Sequence, residues 1–404
     1  MSESNVPRFD LPQTAVLNEA IVLYGLTALA HELDSPSAPA SGAPKAAQGA
    51  LPVAARPFYR FGGSVTDGEG VTQKATLGGK GAGLAELAHR GAPVPPGFTL
   101  PTDTCRKYLL TGVLPADDTL REGIAHIEAA TGRKFGINLF VSVRSGAPDS
   151  MPGMMDTILN LGLNDDTVGV LADETGNIAF AHEAHARFLR SYVEIVRGVK
   201  KEKVAAMGGT ALRNRVPADV WGQLQAAVEA VFRSWNSERA KAYRAHEGIS
   251  DTVGTAVTVQ AMVFGNMGEG SGTGVLFTRN PATGEPGIVG EYLANAQGED
   301  VVAGVRTPAP LTSMADAPWY GALIETVTAL ELHFRDMQDV EFTVERGTLY
   351  LLQTRNAKRS ARAMARIAVD LLREGVIDRA TAAARIDARR LETLTRPTID
   401  PEVL

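Results

Sequence analysis

A glycine-rich segment, Gly265 to Gly274, constrains the fold of this chain more than any other feature. It holds five glycines in ten residues and lies between two apolar segments, Ala256 to Phe264 and Gly274 to Thr278. Glycine inside a helix or strand costs about 0.5–1 kcal/mol relative to alanine, so no regular element continues through this segment. We predict two strands joined by a flexible hairpin tip, with a plain mobile loop as the alternative.

A second glycine-rich segment, Gly78 to Gly83, surrounds Lys80 and precedes a segment with the composition of a helix, Gly83 to Gly91. Phosphate groups are bound by backbone N–H donors at helix starts and by fixed cations. The segment therefore predicts a phosphate site, although it lacks the Walker A spacing. The alternative is a glycine turn with a surface lysine. The flexible tip at Gly265 to Gly274 would close over the phosphates, and Arg279 would reach them from the following strand.

Two strands near the C-terminal end carry the residues expected to bind a metal. The apolar segments Val340 to Val344 and Leu349 to Gln353 are separated by Glu-Arg-Gly-Thr, a sequence suited to a hairpin turn. Residues two apart in a strand share a face, so one face carries two carboxylates, an amide and a guanidinium. These residues are Asp339, Glu341, Gln353 and Arg355. Mg²⁺ takes hard oxygen ligands and arginine neutralises phosphoryl charge, so we predict a metal site, with a ladder of solvated ion pairs as the alternative.

The composition argues against several classes of protein. With 40 Lys+Arg and 46 Asp+Glu the net charge is −6, whereas general nucleic-acid binding needs a basic surface. No apolar run reaches membrane-spanning length, and the residues after Met1 lack the basic segment of a secretory signal. The single cysteine, Cys105, fits a reducing compartment. We therefore expect a cytoplasmic protein that binds neither nucleic acid nor membranes.

Methionines and histidines each allow a structural and a functional interpretation. The run Met151 to Thr157 contains three methionines, which usually fill apolar cores, but its glycine and proline argue against a helix. His182 and His185 are three apart on a predicted helix and could pair as metal ligands, although structural helix residues are the more common case. None of the other histidines has the sequence context of a phosphohistidine nucleophile.

In this order, the segments resemble the ATP-binding region of the pyruvate phosphate dikinase family, which has the ATP-grasp fold. The resemblance extends from about Tyr59 to the end of the sequence and is carried by eight blocks. The blocks are Val141-Ser-Val-Arg-Ser-Gly-Ala, the segment Ser150 to Asn164, Val263-Phe-Gly-Asn-Met-Gly-Glu, Ser271-Gly-Thr-Gly-Val, Phe277-Thr-Arg-Asn-Pro, the segment Asn295 to Gly304, Asp336-Met-Gln-Asp and Leu352-Gln-Thr-Arg-Asn. Agreement over so many blocks is not expected by chance.

The resemblance implies an α+β architecture: an ATP-grasp fold whose two α/β lobes clamp ATP, with a helical subdomain. The expected segments are an N-terminal helix and Ala/Pro-rich linker at 1–57, an N-terminal lobe at 58–175, the helical subdomain at 176–250, a C-terminal lobe at 251–372, and a C-terminal helix with a linker at 373–404. The first segment holds an amphipathic pattern at Thr14 to Leu33. This helix either docks a partner or packs on its own domain.

The resemblance also implies roles for individual residues. The expected catalytic residues are Lys80, Arg144 and Arg355. The expected Mg²⁺ ligands are Glu341, Gln353 and Asp339. The residues expected to contact ATP or its metal are Lys80, Arg144, Gly153, Thr157, Gln260, Gly272, Thr273, Arg279, Glu341, Gln353 and Arg355. Within this set Gln260 is expected near the adenine or ribose.

The sequence contains no Thr-Ser-His-Ala phosphohistidine motif. In the family, the ATP region transfers the β-phosphoryl group to a histidine on a separate swivelling domain and leaves AMP and phosphate, and a third domain passes the group to pyruvate. We therefore expect a Mg-ATP-dependent phosphotransferase module, a partial enzyme whose acceptor is a phosphohistidine domain or protein in trans. The alternatives are a stand-alone ATP-grasp kinase or ligase for a small molecule, and a non-catalytic nucleotide-sensing module.

Overall fold

The computed structural model describes residues 56–298, 300, 306–387 and 390. The helix predicted at Thr14 to Leu33 and nearly all of the predicted linker lie outside the described residues, as does the end of the segment 373–404. The described part contains two five-stranded sheets and twelve helices. None of the helices in these ranges is both long enough and apolar enough to cross a membrane.

The first sheet is built from five antiparallel strands. They are β1 (Tyr59–Phe61), β2 (Gly97–Leu100), β3 (Val141–Gly146), β4 (Thr157–Leu161) and β5 (Ala256–Ala261). Their order in the sheet is β1-β2-β5-β3-β4, so β5 lies at the centre and all its residues are buried. The expected boundary at residue 251 assigned β5 to the C-terminal lobe. In the structure β5 pairs with β2 and β3, so these residues belong to the first sheet.

Amphipathic helices pack against this sheet. The helices of the described chain are α1 (Lys74–His89), α2 (Thr102–Thr111), α3 (Asp117–Thr131), α4 (Thr167–Thr175), α5 (Ile178–Ile195), α6 (Lys201–Ala205), α7 (Gly209–Arg213), α8 (Val220–Ser234), α9 (Glu238–Glu247), α10 (Tyr320–Phe334), α11 (Ala361–Arg373) and α12 (Arg379–Ala384). Apolar side chains of α3, α5 and α8 share one core with the first sheet. Asp219 caps α8 by accepting from the N–H groups of Trp221 and Gly222. The segment 176–250, expected from the resemblance to be a helical subdomain, contains α5 to α9.

The second sheet is also antiparallel. Its strands are β6 (Gly272–Arg279), β7 (Pro286–Ala294), β8 (Ala309–Pro310), β9 (Gln338–Glu345) and β10 (Thr348–Asn356), in the order β10-β9-β6-β7-β8. Buried residues of β6, β9 and β10 pack with apolar side chains of α1 and α10. The predicted hairpin of β9 and β10 is confirmed, with Glu345 opposite Thr348 at its turn.

The glycine-rich segment does not form the predicted hairpin tip. The strand before it, β5, belongs to the first sheet and the strand after it, β6, belongs to the second. The Phe264 N–H donates to Glu345 Oε2 at 2.6 Å, and the Gly347 N–H donates to the Gly270 carbonyl at 2.8 Å. The segment therefore connects the two sheets and is attached to the β9–β10 turn.

Helix α1 lies between the sheets and is interrupted at Gly78. The predicted helix began at Gly83, but the observed helix begins at Lys74, and Gly78 within it has φ of +67°. A Cβ atom at Gly78 would lie 1.6 Å from the Gly146 carbonyl oxygen, so only glycine fits there. The Gly79 N–H donates to the Ala147 carbonyl at 2.9 Å. This break brings the turn that carries Lys80 against the end of β3.

Candidate functional site

Arg144 is the centre of a polar cluster where the two sheets meet. Its Nη1 donates to Gln260 Oε1 on β5 at 3.1 Å and to the Leu352 carbonyl on β10 at 3.3 Å. Its Nη2 lies 3.7 Å from Glu341 Oε2 on β9, and its side chain is 11% exposed. One guanidinium therefore connects the two sheets and faces a carboxylate expected to bind the metal.

The β9–β10 hairpin supplies the other predicted ligands. Its register places Glu341 opposite Gln353 and Asp339 opposite Arg355, despite a bulge between Leu351 and Gln353. Arg355 Nε donates to Asp339 Oδ2 at 2.8 Å, and Nη2 lies 2.7 Å from the same oxygen. The predicted cross-strand proximity of these four residues is confirmed.

Lys80 lies within the electrostatic reach of this cluster. Burial and the nearby Arg144 lower the pKa of Lys80 to about 7, with Glu341 acting in the opposite direction and Arg355 in the same one. Burial also lowers the pKa of Arg144 and raises the pKa of Asp339. With Lys80 protonated, three cations face two carboxylates. An anion that enters the site therefore meets a surplus of positive charge.

The loop between β3 and β4 carries two further predicted residues. Thr157 begins β4, opposite Arg144 in the first sheet. Gly153 is exposed on the loop with φ of +70°. Met151 is buried and packs with Trp235, which confirms the core-filling interpretation for this methionine. Met151 thus anchors the loop in the core, while Gly153 lies at the surface.

Gln260 has a different setting from the one expected near the adenine or ribose. Its Oε1 accepts from Arg144, and its Nε2 donates to the Pro95 carbonyl at 3.0 Å. Both polar ends of this buried side chain are engaged, so Gln260 orients Arg144. The carbonyls of Pro95 and Leu352 were missed from the sequence, because a backbone acceptor leaves no side-chain pattern to find.

Gly272 and Thr273 are used inside the second sheet. A Cβ at Gly272 would lie 2.1 Å from Tyr292 Oη, so the glycine makes room for this tyrosine. Thr273 is buried, and its Oγ1 donates to the Phe342 carbonyl at 3.0 Å. The structure thus gives both residues packing roles, and it provides no support for the predicted phosphate contacts.

The guanidinium of Arg279 is hydrogen-bonded to two glutamates. Its Nε donates to Glu331 at 2.9 Å, and Nη1 and Nη2 donate to the two oxygens of Glu374 at 3.0 and 2.6 Å. The Arg279 side chain is 5% exposed. At this strand ending the guanidinium therefore lies in an ion-pair network, and the phosphate role of Arg279 stays a prediction.

Other candidate metal ligands are dispersed. Within the described ranges, no group of three or more His, Cys, Asp and Glu side chains is arranged to hold a metal. His182 is exposed whereas His185 is buried, and burial lowers the pKa of His185. The magnesium prediction therefore depends on two carboxylates and the Gln353 amide together with oxygens from a bound nucleotide.

Comparison with known proteins identifies the family of this chain. The family model described as pyruvate phosphate dikinase, AMP/ATP-binding domain matches residues 110–320 and 320–375. The chain belongs to the pyruvate phosphate dikinase AMP/ATP-binding domain family. As a member of this family it has the ATP-grasp fold, which confirms the predicted α+β architecture. The family description also supports ATP as the ligand of this dikinase-type domain.

Two relatives illustrate the extent of the match. Pyruvate, phosphate dikinase of Clostridium symbiosum is 48% identical over 368 residues, which cover 81% of this chain and 42% of the relative. Pyruvate, phosphate dikinase of Rhizobium meliloti (strain 1021) is 45% identical over 394 residues, which cover 85% of this chain and 44% of the relative. The dikinase-type chain thus spans less than half the length of these curated relatives. Its cytoplasmic location stays a prediction.

Proposed function

We propose that this domain binds Mg-ATP at the Arg144 cluster and transfers the β-phosphoryl group to a histidine on a separate domain or chain, leaving AMP and inorganic phosphate. The observation that carries the proposal is the position of Arg144, which bonds to both sheets and faces Glu341 beside Lys80 and Arg355. Phosphoryl transfer depends mainly on positioning and charge stabilisation. Cations held by three different elements provide both.

Lys80 and Arg144 are the expected phosphate ligands. The side chain of Arg144 is fixed by Gln260 and Leu352, so its planar donors are oriented before the nucleotide enters. Phosphate oxygens would replace Glu341 Oε2, which lies 3.7 Å from Arg144 Nη2, as the partner of this guanidinium. Their negative charge would also restore the protonated form of Lys80. Because these groups are largely removed from water, their interaction with phosphate charge is stronger than on an exposed surface.

The β9–β10 hairpin has a suitable ligand set for magnesium. Glu341 and Gln353 are directly opposite each other and offer hard oxygen donors. The Arg355 bonds occupy Oδ2 of Asp339 and leave its Oδ1 as a third candidate donor. When bound, magnesium supplies charge neutralisation at the phosphate oxygens. Glu341, Gln353 and Asp339 would hold it there.

Arg355 is the cation best placed to meet an incoming acceptor. Its side chain is 42% exposed, whereas that of Arg144 is 11% exposed. Asp339 holds the Arg355 guanidinium from the protein side. An acceptor histidine nitrogen would attack the β-phosphorus, AMP would depart with the bridging oxygen, and Arg355 would stabilise the charge that develops between them. Attack of water on the γ-phosphorus would then release inorganic phosphate and leave a single phosphoryl group on the histidine.

The test combines the purified protein with Mg-ATP and a separately purified phosphohistidine domain. The expected result is AMP and inorganic phosphate in equal amounts, together with acid-labile phosphate on that domain. Arg355→Ala should retain ATP affinity within about threefold and lose about 10²-fold or more of the transfer rate, the usual cost of removing a donor to transition-state charge. Arg379→Ala removes an exposed arginine of α12 and serves as the matched control.

Three outcomes would overturn the proposal. Unchanged transfer in Arg355→Ala would remove the assigned role of this arginine. ADP as the product would identify a simple kinase or ligase, and ATP binding with neither AMP nor ADP would identify a nucleotide-sensing module.

A further inference from the structure

The β3–β4 loop, residues 147–156, begins and ends beside the proposed phosphate site. It leads directly into Thr157, which is opposite Arg144 in the first sheet. Directly opposite residues share a face of the sheet, so the two side chains lie on the same side. The Gly79 N–H donates to the Ala147 carbonyl at 2.9 Å, so the start of the loop is also bonded to the glycine turn of α1. A change in the path of this loop therefore moves backbone next to the proposed phosphate ligands.

The tip of the β3–β4 loop is a turn at the protein surface. The Met154 N–H donates to the Met151 carbonyl at 3.2 Å and closes this turn. Gly153, inside the turn, has φ of +70°, and a Cβ atom there would have no neighbour within 4 Å among the described residues. This internal hydrogen bond does not fix the direction in which the turn points, so contacts from other elements decide its position.

Helix α9 supplies contacts of this kind. Arg239, in its first turn, donates from Nε to the Met154 carbonyl at 3.1 Å and forms an ion pair through Nη2 with Asp156 Oδ1. Tyr243, one turn later on the same face, donates from Oη to the Ser150 carbonyl at 3.4 Å. One face of α9 therefore contacts the loop on both sides of its exposed tip, and Arg239 makes two of these contacts.

The inner side of the loop is held without Arg239. Met151 is buried and packs with Trp235, whose indole N–H donates to the Asp251 carbonyl at 3.0 Å. Arg244 also packs on this ring, with its Cζ atom 4.2 Å from the ring centre. Loss of the Arg239 side chain therefore leaves this buried cluster in place and frees the outer part of the loop.

We propose that Arg239 is a positioning residue for nucleotide binding: it holds the β3–β4 loop where the backbone around Gly153 and the Thr157 side chain meet the phosphates. This inference rests on the proposed function and assigns to Arg239 an action through the loop. Arginine suits the task because its planar donors bind a carbonyl and a carboxylate at once. A loop that is held in advance loses less conformational freedom when the nucleotide enters, which raises the affinity for the phosphates.

The first measurement follows the loop in the absence of nucleotide. Hydrogen–deuterium exchange reports on the Met154 and Asp156 amides, both of which are hydrogen-bonded. In Arg239→Ala they should exchange about three- to fivefold faster, because the ion pair that is lost is half exposed and screened by water. Lys241→Ala is the matched control, since it removes an equally exposed cation of α9 that is paired with Glu238. The control should leave both amides unchanged.

The second measurement separates the phosphates from the rest of the nucleotide. In calorimetry with Mg²⁺, Arg239→Ala should bind a non-hydrolysable ATP analogue about three- to fivefold more weakly. Adenosine, measured by competition with that analogue, should bind as it does to the unmodified protein. With a phosphohistidine domain as acceptor, the KM for ATP should rise by the same factor while kcat is retained, since the loop affects ground-state and transition-state binding alike.

A double-mutant cycle tests whether Arg239 acts through the loop. Asp156→Ala removes the same ion pair from the other side. In that background Arg239→Ala should weaken binding of the ATP analogue by less than about twofold, because residues that act through one contact are not additive. Arg239→Lys keeps the charge and should recover part of the affinity.

The inference is overturned by any of three results. Binding of the ATP analogue by Arg239→Ala at the affinity of Lys241→Ala would remove the role in phosphate binding. Equal weakening for adenosine and the ATP analogue would indicate a general effect on the fold. Unchanged exchange of the two loop amides would exclude an action through the loop. Weaker ATP binding in Lys80→Met together with normal binding in Arg239→Ala would overturn this inference alone, whereas normal binding in Lys80→Met would count against the proposed nucleotide site itself.

Discussion

Proton uptake by Lys80 should make ATP binding depend on pH above neutrality. Burial and Arg144 lower the pKa of this lysine from 10.5 to about 7 in the nucleotide-free protein, so Lys80 loses its proton as the pH rises through 7. Bound phosphates favour the protonated form. ATP binding at alkaline pH must therefore include protonation of Lys80, and the cost of that step grows with pH.

The magnitude follows from the shifted pKa. With a pKa of about 7, the ratio of neutral to protonated Lys80 is about 10 at pH 8 and about 100 at pH 9. Each pH unit then adds about 1.4 kcal/mol to the free energy of binding, as long as the pKa of bound Lys80 lies above 9. The apparent dissociation constant for ATP should rise about tenfold between pH 8 and pH 9.

Isothermal titration calorimetry with Mg²⁺ and a non-hydrolysable ATP analogue at pH 7.5, 8, 8.5 and 9 measures this slope. Buffers of different ionisation enthalpy report the uptake of close to one proton at pH 8.5. The phosphate pKa of about 6 keeps the nucleotide fully ionised over this range. Lys80→Met should bind more weakly at pH 7.5 and show no comparable slope. A flat profile in the unmodified protein, or the same slope in Lys80→Met, would refute the reasoning.

Gly78→Ala should lower the free energy of unfolding in urea by about 3 kcal/mol or more, because its Cβ would lie 1.6 Å from the Gly146 carbonyl at φ of +67°. Gly91→Ala, with φ of +72° and no neighbour within 4 Å, should cost only about 1 kcal/mol, and equal losses would contradict the steric explanation. Arg279→Met should destabilise the fold by about 2 kcal/mol or more while ATP affinity is unchanged, because it leaves two carboxylates without their shared cation. A folded Arg279→Met protein with much weaker ATP binding would restore the predicted phosphate role. Glu341→Gln should raise the Mg²⁺ concentration for half-maximal nucleotide binding about tenfold, and an unchanged titration would exclude Glu341 as a ligand.

The Lys80 pKa also predicts how folding stability depends on pH. The folded pKa is lower than that of the unfolded chain, so the unfolded chain binds more protons between pH 7 and 10.5. The contribution of Lys80 therefore destabilises the fold fully below pH 7 and is relieved as the pH rises through that interval. In Lys80→Met this contribution to the pH dependence of urea unfolding should disappear.

The β9–β10 hairpin could be predicted from the sequence because both its strands and its turn are encoded locally. Alternation with period two places Asp339 and Glu341 on one face, and a short turn fixes the register with Gln353 and Arg355. The strands flanking Gly265 to Gly274 were also recognisable. Their partners were not, because an apolar strand pattern does not specify which other strand it will pair with.

In the candidate site, too, locally encoded residues could be predicted, whereas contacts between distant parts of the chain could not. Lys80 was found from a glycine run and Arg144, at a strand ending, from the family resemblance, and the structure brings both to one cluster. Arg279 had a similar position at a strand ending, but the glutamates that pair with it come from distant parts of the chain. Residues that act through long-range contacts or backbone carbonyls, such as Leu352, become visible only when the fold is known.

The most direct test of the account is a crystal structure of the protein with Mg²⁺ and a non-hydrolysable ATP analogue. The expected result is triphosphate oxygens within hydrogen-bonding distance of Lys80 Nζ and the Arg144 guanidinium, with the metal bound to Glu341 and Gln353. Nucleotide bound elsewhere, while Arg144 still faces Glu341 and no metal contacts the β9–β10 hairpin, would contradict it.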